Sequence, residues 1–188
     1  MSDFPTLETQ RLLLREIVTT DAPALLAIHG NARAMQWFGM DPITEIAQAQ
    51  ALVETFAESR ALPNPGIRWG IQDKTHEALL GNCGFFKWNR QWKSCSLGFA
   101  LGQSAWGKGF MSEALQATLV WGFEQMQLNR IEATVHPENL ACLKLLERQG
   151  FVQEGRLRQA GFWLGEHRDL LQLSLLRAEF EPSPISAL

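Results

Sequence analysis

Between Gly102 and Phe123 the chain reads GQSAWGKGFMSEALQATLVWGF, and its chemistry is concentrated in Gly107, Lys108 and Gly109. Two glycines around a lysine, directly ahead of an apolar-periodic segment, predict a tight loop that opens a helix. A helix mouth presents N–H groups that no helical carbonyl can reach, and glycines let a ligand come close to them. A phosphate or pyrophosphate is the occupant such a mouth favours, and Lys108 adds a positive point charge. The spacing is not that of a nucleotide-hydrolysing P-loop. Gly109 follows the lysine, where a hydroxyl would be needed to bind magnesium. The dinucleotide pattern fails as well, because Ser112 stands where a third glycine is wanted.

Other side chains could move protons or orient a ligand. His136 ends the segment RIEATVH, in which Ile131, Ala133 and Val135 alternate with polar residues. An imidazole titrating at about 6.5 suits a general base. Asn139 stands just ahead of an apolar helical run, the place of an N-cap. Tyrosine is absent from the chain, so no phenol is available as an acid.

A regular series of elements must position these residues. RLLLREI (Arg11 to Ile17) reads as a strand. A helix follows, with Thr20 or Asp21 as N-cap, Pro23 in its first turn and Gly30 past its end. Thr44 suggests the start of a second helix, and Pro63, Pro65 and Gly66 then break the chain. Two apolar runs across the polar Asp73 to Glu77 predict a hairpin, and SCSLGFAL (Ser94 to Leu101) is a strand leading into the glycine loop. In the loop helix, Met111, Leu115, Leu119, Gly122, Phe123 and Met126 share one face. The strand RIEATVH, a helix closed by Gly150 at C′, and two tail strands complete the chain. The order β-α-α-β-β-β-α-β-α-β-β predicts an α/β (α+β) mixed sheet. It is not doubly wound, because three strands run consecutively in its middle.

At 188 residues and 46% hydrophobic, the chain has material for one good core, so a single domain over residues 1–188 is expected. A net charge of -3 does not indicate a nucleic-acid surface, and no apolar run suggests a membrane span. Cys83, Cys95 and Cys142 are widely spaced with no CxxC pair, as in a cytoplasmic protein with reduced thiols and no metal site. The seven tryptophans are scattered over separate elements, which points to core packing or an apolar substrate rim rather than a cation cage.

Taken together, WGKGFMSEAL, NRIEATVHPENLACLKLLERQGFVQEGRLR and the early TQRLLLRE resemble the GNAT superfamily of N-acetyltransferases. The resemblance is to the branch that acetylates the N-termini of ribosomal proteins, and it covers roughly Leu7 to Leu176. It implies a central, mostly antiparallel mixed sheet splayed between its fourth and fifth strands, with flanking helices. It also implies acetyl-CoA as co-substrate and no metal.

The resemblance maps coenzyme A pyrophosphate onto Gly107, Lys108, Gly109, Phe110, Met111 and Ser112. It places the pantetheine arm against backbone groups near Ala100 and Leu101, with Asn139 as a further hydrogen-bonding partner. The tyrosine that many relatives use to protonate the leaving thiolate is Leu146 here. The serine often found three residues after the asparagine is Cys142, which makes Cys142 the candidate acid, with a pKa expected to fall near a helix N-terminus. The branch's glutamate ahead of the Leu97-Gly98 pair is Ser96, and a motif residue usually Gln or Arg is Ser104. His136 is then the candidate base, with Asp41, Glu45 and Asp73 as carboxylates that could enter from outside the motifs.

The expected reaction is direct transfer of acetyl from acetyl-CoA to a primary amine, either a protein N-terminus or a small-molecule amine. Without a strong base an α-amine is the easier acceptor, since deprotonating lysine costs about 3 kcal/mol more near neutral pH. The helices between Asp21 and Arg60 are expected to wall the acceptor groove. The departures at Ser96, Ser104 and Leu146 keep a second reading open, a CoA-binding sensor or interaction module with impaired catalysis. The sequence leaves the acceptor and the oligomeric state open.

Overall fold

The structure, a computed structural model, describes residues 4–182. Its strands are β1 (Leu7–Glu8), β2 (Leu12–Glu16), β3 (Ile67–Asp73), β4 (Leu79–Asn89), β5 (Ser94–Leu101), β6 (Arg130–Val135), β7 (Val152–Trp163) and β8 (Glu166–Leu176). Its helices are α1 (Ala22–His29), α2 (Ala32–Met35), α3 (Ile46–Glu58), α4 (Phe110–Glu124) and α5 (Leu140–Arg148). The strands form one eight-stranded mixed sheet in the order β1-β2-β3-β4-β5-β6-β8-β7. Only β5 and β6 pair in parallel.

The order of elements along the chain matches the sequence expectation with two additions, β1 and α2. Both are too short to show a period. Asn31 closes the single turn of α2 by accepting from Ala34 N at 3.0 Å. Because β1 comes first, the strands expected to splay are β5 and β6. They pair only through Ser94–Arg130, Cys95–Ile131 and Ser96–Glu132. Beyond that point β5 continues to Leu101 against β4, and β6 continues to Val135 against β8. Each strand is held by its other neighbour, so a wedge opens between them.

Helix α4 fills one face of the sheet. Met111, Leu115, Leu119, Phe123 and Met126 are all buried. Gly122 allows this close seat, since a Cβ there would lie 2.7 Å from Phe85 Cζ on β4. A second cluster of Ile17, Ala22, Leu25, Ile43, Ala49 and Val53 packs α1 and α3 together on the other side. Covered on both faces, Gly81 to Phe85 of β4 are buried without alternation, whereas Ile131, Ala133 and Val135 of β6 alternate as expected. No helix among the described residues is long and apolar enough to cross a membrane.

Candidate active site

The glycine loop takes the predicted conformation. Gly107 and Gly109 sit at φ 73° and 78°, left-handed values that side chains resist. Gly109 is the N-cap of α4, and the first backbone bond of the helix runs from Glu113 N to Gly109 O at 3.1 Å. The N–H groups of Phe110, Met111 and Ser112 precede that bond and open from the helix mouth. A Cβ at Gly107 would meet nothing within 4 Å, so the approach to these groups is clear.

The loop is fixed from the N-terminal end of the chain. Glu113, buried in the first turn of α4, accepts from Thr9 Oγ1 at 2.6 Å, Arg11 N at 2.8 Å and Arg11 Nε at 2.7 Å. Burial alone would raise this carboxyl. The bonds from Thr9 and Arg11 outweigh it and hold the group below the ordinary carboxylate range. Arg11 also donates through Nη1 to the Lys108 carbonyl at 2.9 Å and lies over the Phe110 ring. The TQRL segment is therefore the clamp on the glycine loop.

One cavity of about 900 Å³ runs from this loop into the wedge between β5 and β6. Gly107, Gly109, Phe110, Met111 and Ser112 line it at one end, and Ala100, Leu101, Asn139 and Cys142 line it farther in. Lys108 and His136 are not among its lining residues. Gly102 N donates to Leu80 O on β4 at 2.8 Å. By strand alternation Ala100 also turns its backbone to β4, while Leu97, Phe99 and Leu101 turn theirs to the wedge. The Leu101 carbonyl is already taken by the Trp106 indole N–H at 2.8 Å. Among the residues expected to meet a ligand through the backbone, Leu101 keeps its N–H facing the wedge, and Phe99 joins it with both groups.

Asn139 caps α5, its Oδ1 accepting from Cys142 N at 3.2 Å, which leaves its amide N–H₂ as a donor. Cys142 overturns the expectation of a lowered pKa: burial pushes its thiol up to about 12. Desolvation wins because the sulfur sits among apolar neighbours, and the Cys142 N–H at the helix mouth is itself spent on the asparagine cap.

His136 is buried behind the cavity wall, its ring stacked on Trp37 at 4.2 Å between centroids and edge-on to Trp163 at 5.9 Å. Its Nδ1 accepts from Glu138 N at 3.2 Å. Desolvation leads the effects that lower its pKa. Asp41, Glu45 and Asp73 do not line the cavity either, and Asp41 is occupied in accepting from Leu164 N at 2.6 Å.

Residues 11–152 match the family model described as the acetyltransferase (GNAT) domain. The chain belongs to the GNAT acetyltransferase family. As a GNAT protein it is an acetyl-CoA-dependent acyltransferase. It is 34% identical over 174 residues to the uncharacterized N-acetyltransferase YoaA of Bacillus subtilis (strain 168), covering 93% of this chain and 98% of that protein. Mycobacterium smegmatis RimJ, solved in complex with CoA-disulfide, superposes at TM-score 0.84 with 24% identity, covering 96% of this chain and 91% of that one. Spermidine N-acetyltransferase from Vibrio cholerae, solved with CoA and spermine, superposes at 0.78 with 22% identity, covering 90% and 97%.

The sequence reading missed part of this GNAT site. Ile28 of α1, Ala34 and Met35 of α2, and Trp37 and Phe38 just beyond also line the cavity, with no residue of α3. Trp163 Nε1 pins that wall by donating to Gln36 O at 3.1 Å. Arg68 also lines the cavity, and the only sequence signal for it is a charged residue inside the otherwise apolar run IRWGI.

Proposed function

We propose that this GNAT chain transfers the acetyl group of acetyl-CoA to a primary amine of low pKa, a protein N-terminal α-amine or a small-molecule amine. The observation that carries this reading is the continuity of one cavity from the open mouth of α4 into the β5–β6 wedge. The N–H groups of residues 107–112 would hold the pyrophosphate, with Lys108 acting through a backbone that Arg11 fixes. The free edge of β5 at Phe99 and Leu101 would pair with the pantetheine arm as a neighbouring strand would, and the Asn139 amide would donate to it. Acetyl-CoA supplies the activated acyl group.

The chain's own residues then orient the reactants and exclude water. The amine nitrogen bonds to the thioester carbon as the carbon–sulfur bond breaks, and the proton lost from nitrogen balances the thiolate released. Among the described residues no Asp or Glu lines the cavity, and His136 is stacked on Trp37 of its wall without lining it. The acceptor must therefore arrive largely on its own as a free amine. An α-amine is about a tenth neutral at pH 7, whereas a lysine is almost wholly charged. Burial holds the Cys142 thiol up at about 12, well above an ordinary thiol. It can hydrogen-bond the departing sulfur but is a poor source of its proton.

The test is release of free CoA thiol from acetyl-CoA with a panel of α-amines and lysine-type amines, with products weighed by mass spectrometry. Acetylated α-amines formed faster than lysine side-chain products are expected. Binding of CoA with no turnover of any amine would instead make the chain a binding module.

A further inference from the structure

We infer that the acceptor amine carries a carboxylate and that Arg68 is the residue that recognises it; this rests on the acetyl-transfer reading above. The charged residues lining the cavity are Arg68, Lys144 and Arg148, with no acidic residue among them. Lys144 and Arg148 share one face of α5, and Arg148 adjoins Gln149, which donates to Ser112 Oγ at 2.9 Å in the first turn of α4. Arg68 is on β3, at the side walled by α1 and α2, where a CoA phosphate held at the loop does not account for it.

The sheet is built to bring this guanidinium to the cavity. Arg68 is in register with Gly84 on β4, and Gly84 with Gly98 on β5. Gly98 makes room for the guanidinium, since a Cβ there would lie 3.0 Å from Arg68 Nη2, while a Cβ at Gly84 would meet the backbone of Ile67 and Arg68. Arg68 Nη1 donates to Asn82 Oδ1 at 2.9 Å and to the Gly98 carbonyl at 3.3 Å. Asn82, with its oxygen so engaged, turns its Nδ2 to His29 Nε2 at 3.0 Å. Both Asn82 and His29 are buried, so the network fixes the orientation of the guanidinium from behind.

What the network lacks is a counter-charge. No ion pair forms at Arg68 among the described residues: one face of the guanidinium lies over the Phe56 ring, 5.2 Å from its centroid, both contacts at Nη1 are to neutral oxygens, and Nε and Nη2 remain for a ligand. Burial without a carboxylate lowers this arginine to about 10 and, with the Arg68 charge, lowers His29 to about 4. His29 is thus neutral and offers no compensation. A partly desolvated guanidinium with a vacant fork suits a planar carboxylate. The surrounding Met35, Trp37, Phe38 and Phe86 suit an apolar body on the same molecule. A polyamine, with charge of the same sign as Arg68, is disfavoured.

The test compares kcat/KM for L-phenylalanine, L-phenylalaninamide, 2-phenylethylamine and a phenylalanine-initiated tetrapeptide amide, with acetyl-CoA saturating. Phenylalanine should exceed each of the other three by about tenfold or more, although its amide sheds the amine proton more readily. In Arg68→Gln the ratio of phenylalanine to 2-phenylethylamine should fall by about tenfold or more, to what the basicities of the two amines alone give. Neutral amines that match phenylalanine in the wild type would overturn the carboxylate assignment while leaving acetyl transfer standing. An Arg68→Gln variant that slows every acceptor alike would also overturn it, placing Arg68 at the acetyl group instead. Failure of acetyl-CoA to bind or be consumed with any amine would remove both readings. The wild-type ratios decide the carboxylate even if Arg68→Gln does not fold, and an unchanged preference in Arg68→Lys, which keeps the charge but loses the fork, would overturn the assignment to Arg68.

Discussion

Arg11 and Glu113, 102 positions apart in the chain, meet through the Arg11 backbone N–H and Nε, at 2.8 and 2.7 Å from the two carboxylate oxygens. The pair ties the start of β2 to the first turn of α4 and so sets the attitude of the glycine loop. Glu113→Gln should cost about 1–3 kcal/mol in urea unfolding at pH 7, since it weakens a buried acceptor of three hydrogen bonds. The sign of the pH dependence follows from a carboxyl held below its ordinary range. Its contribution is complete above the unfolded value of about 4.3 and is lost as pH falls through the folded one. The gap between wild type and Glu113→Gln should hold steady from pH 7 to about 5 and narrow in stronger acid.

Gly107→Ala separates folding from binding. A side chain at φ 73° costs about 1–2 kcal/mol in a left-handed conformation, which unfolding would measure. The added methyl meets no protein atom, so it stands in the approach to the helix mouth. Titration calorimetry should show CoA affinity weakened by about tenfold or more, and an unchanged dissociation constant would show that the ligand lies elsewhere.

The succession of elements along the chain and the glycine loop were legible in the sequence because their signals are local: alternation in RIEATV, a one-sided apolar face from Met111 to Met126, and two glycines before that face. The wedge was not legible by period. It depends on where β5 and β6 stop pairing, and only family resemblance pointed to it. His136 illustrates a further limit. A strand-end histidine reads as a base, yet the elements on either side of it bring Trp37 and Trp163 onto its ring. Arg68 was overlooked because its meaning comes from Gly84 and Gly98 lying beside it across three strands.

His136→Phe keeps an aromatic ring against Trp37 and removes both ring nitrogens. It should change kcat/KM by less than about threefold, with the pH profile still following ionisation of the acceptor amine. A general base of this kind contributes about 10²–10⁴-fold. A loss of that size, with the acidic limb of the profile abolished, would return His136 to the chemistry.

Cys142 should matter modestly. A thiol held up at about 12 by burial donates a hydrogen bond and rarely a proton, so Cys142→Ser and Cys142→Ala should each lower kcat by less than about tenfold. Rapid-quench measurement of the chemical step would check this. A hundredfold loss in Cys142→Ala, rescued by serine, would show it to be the acid.

The most direct test of the account is a thermal-shift comparison of the protein with acetyl-CoA, CoA and Mg-ATP. A ligand at 100 times its dissociation constant adds about 2.7 kcal/mol of stability, enough to move the melting temperature clearly. The account predicts that both CoA ligands raise it and that Mg-ATP does so far less, with the rise reduced in Gly107→Ala. No response to either CoA ligand, or a larger one to Mg-ATP, would contradict the assignment of the helix mouth and of the wedge behind it.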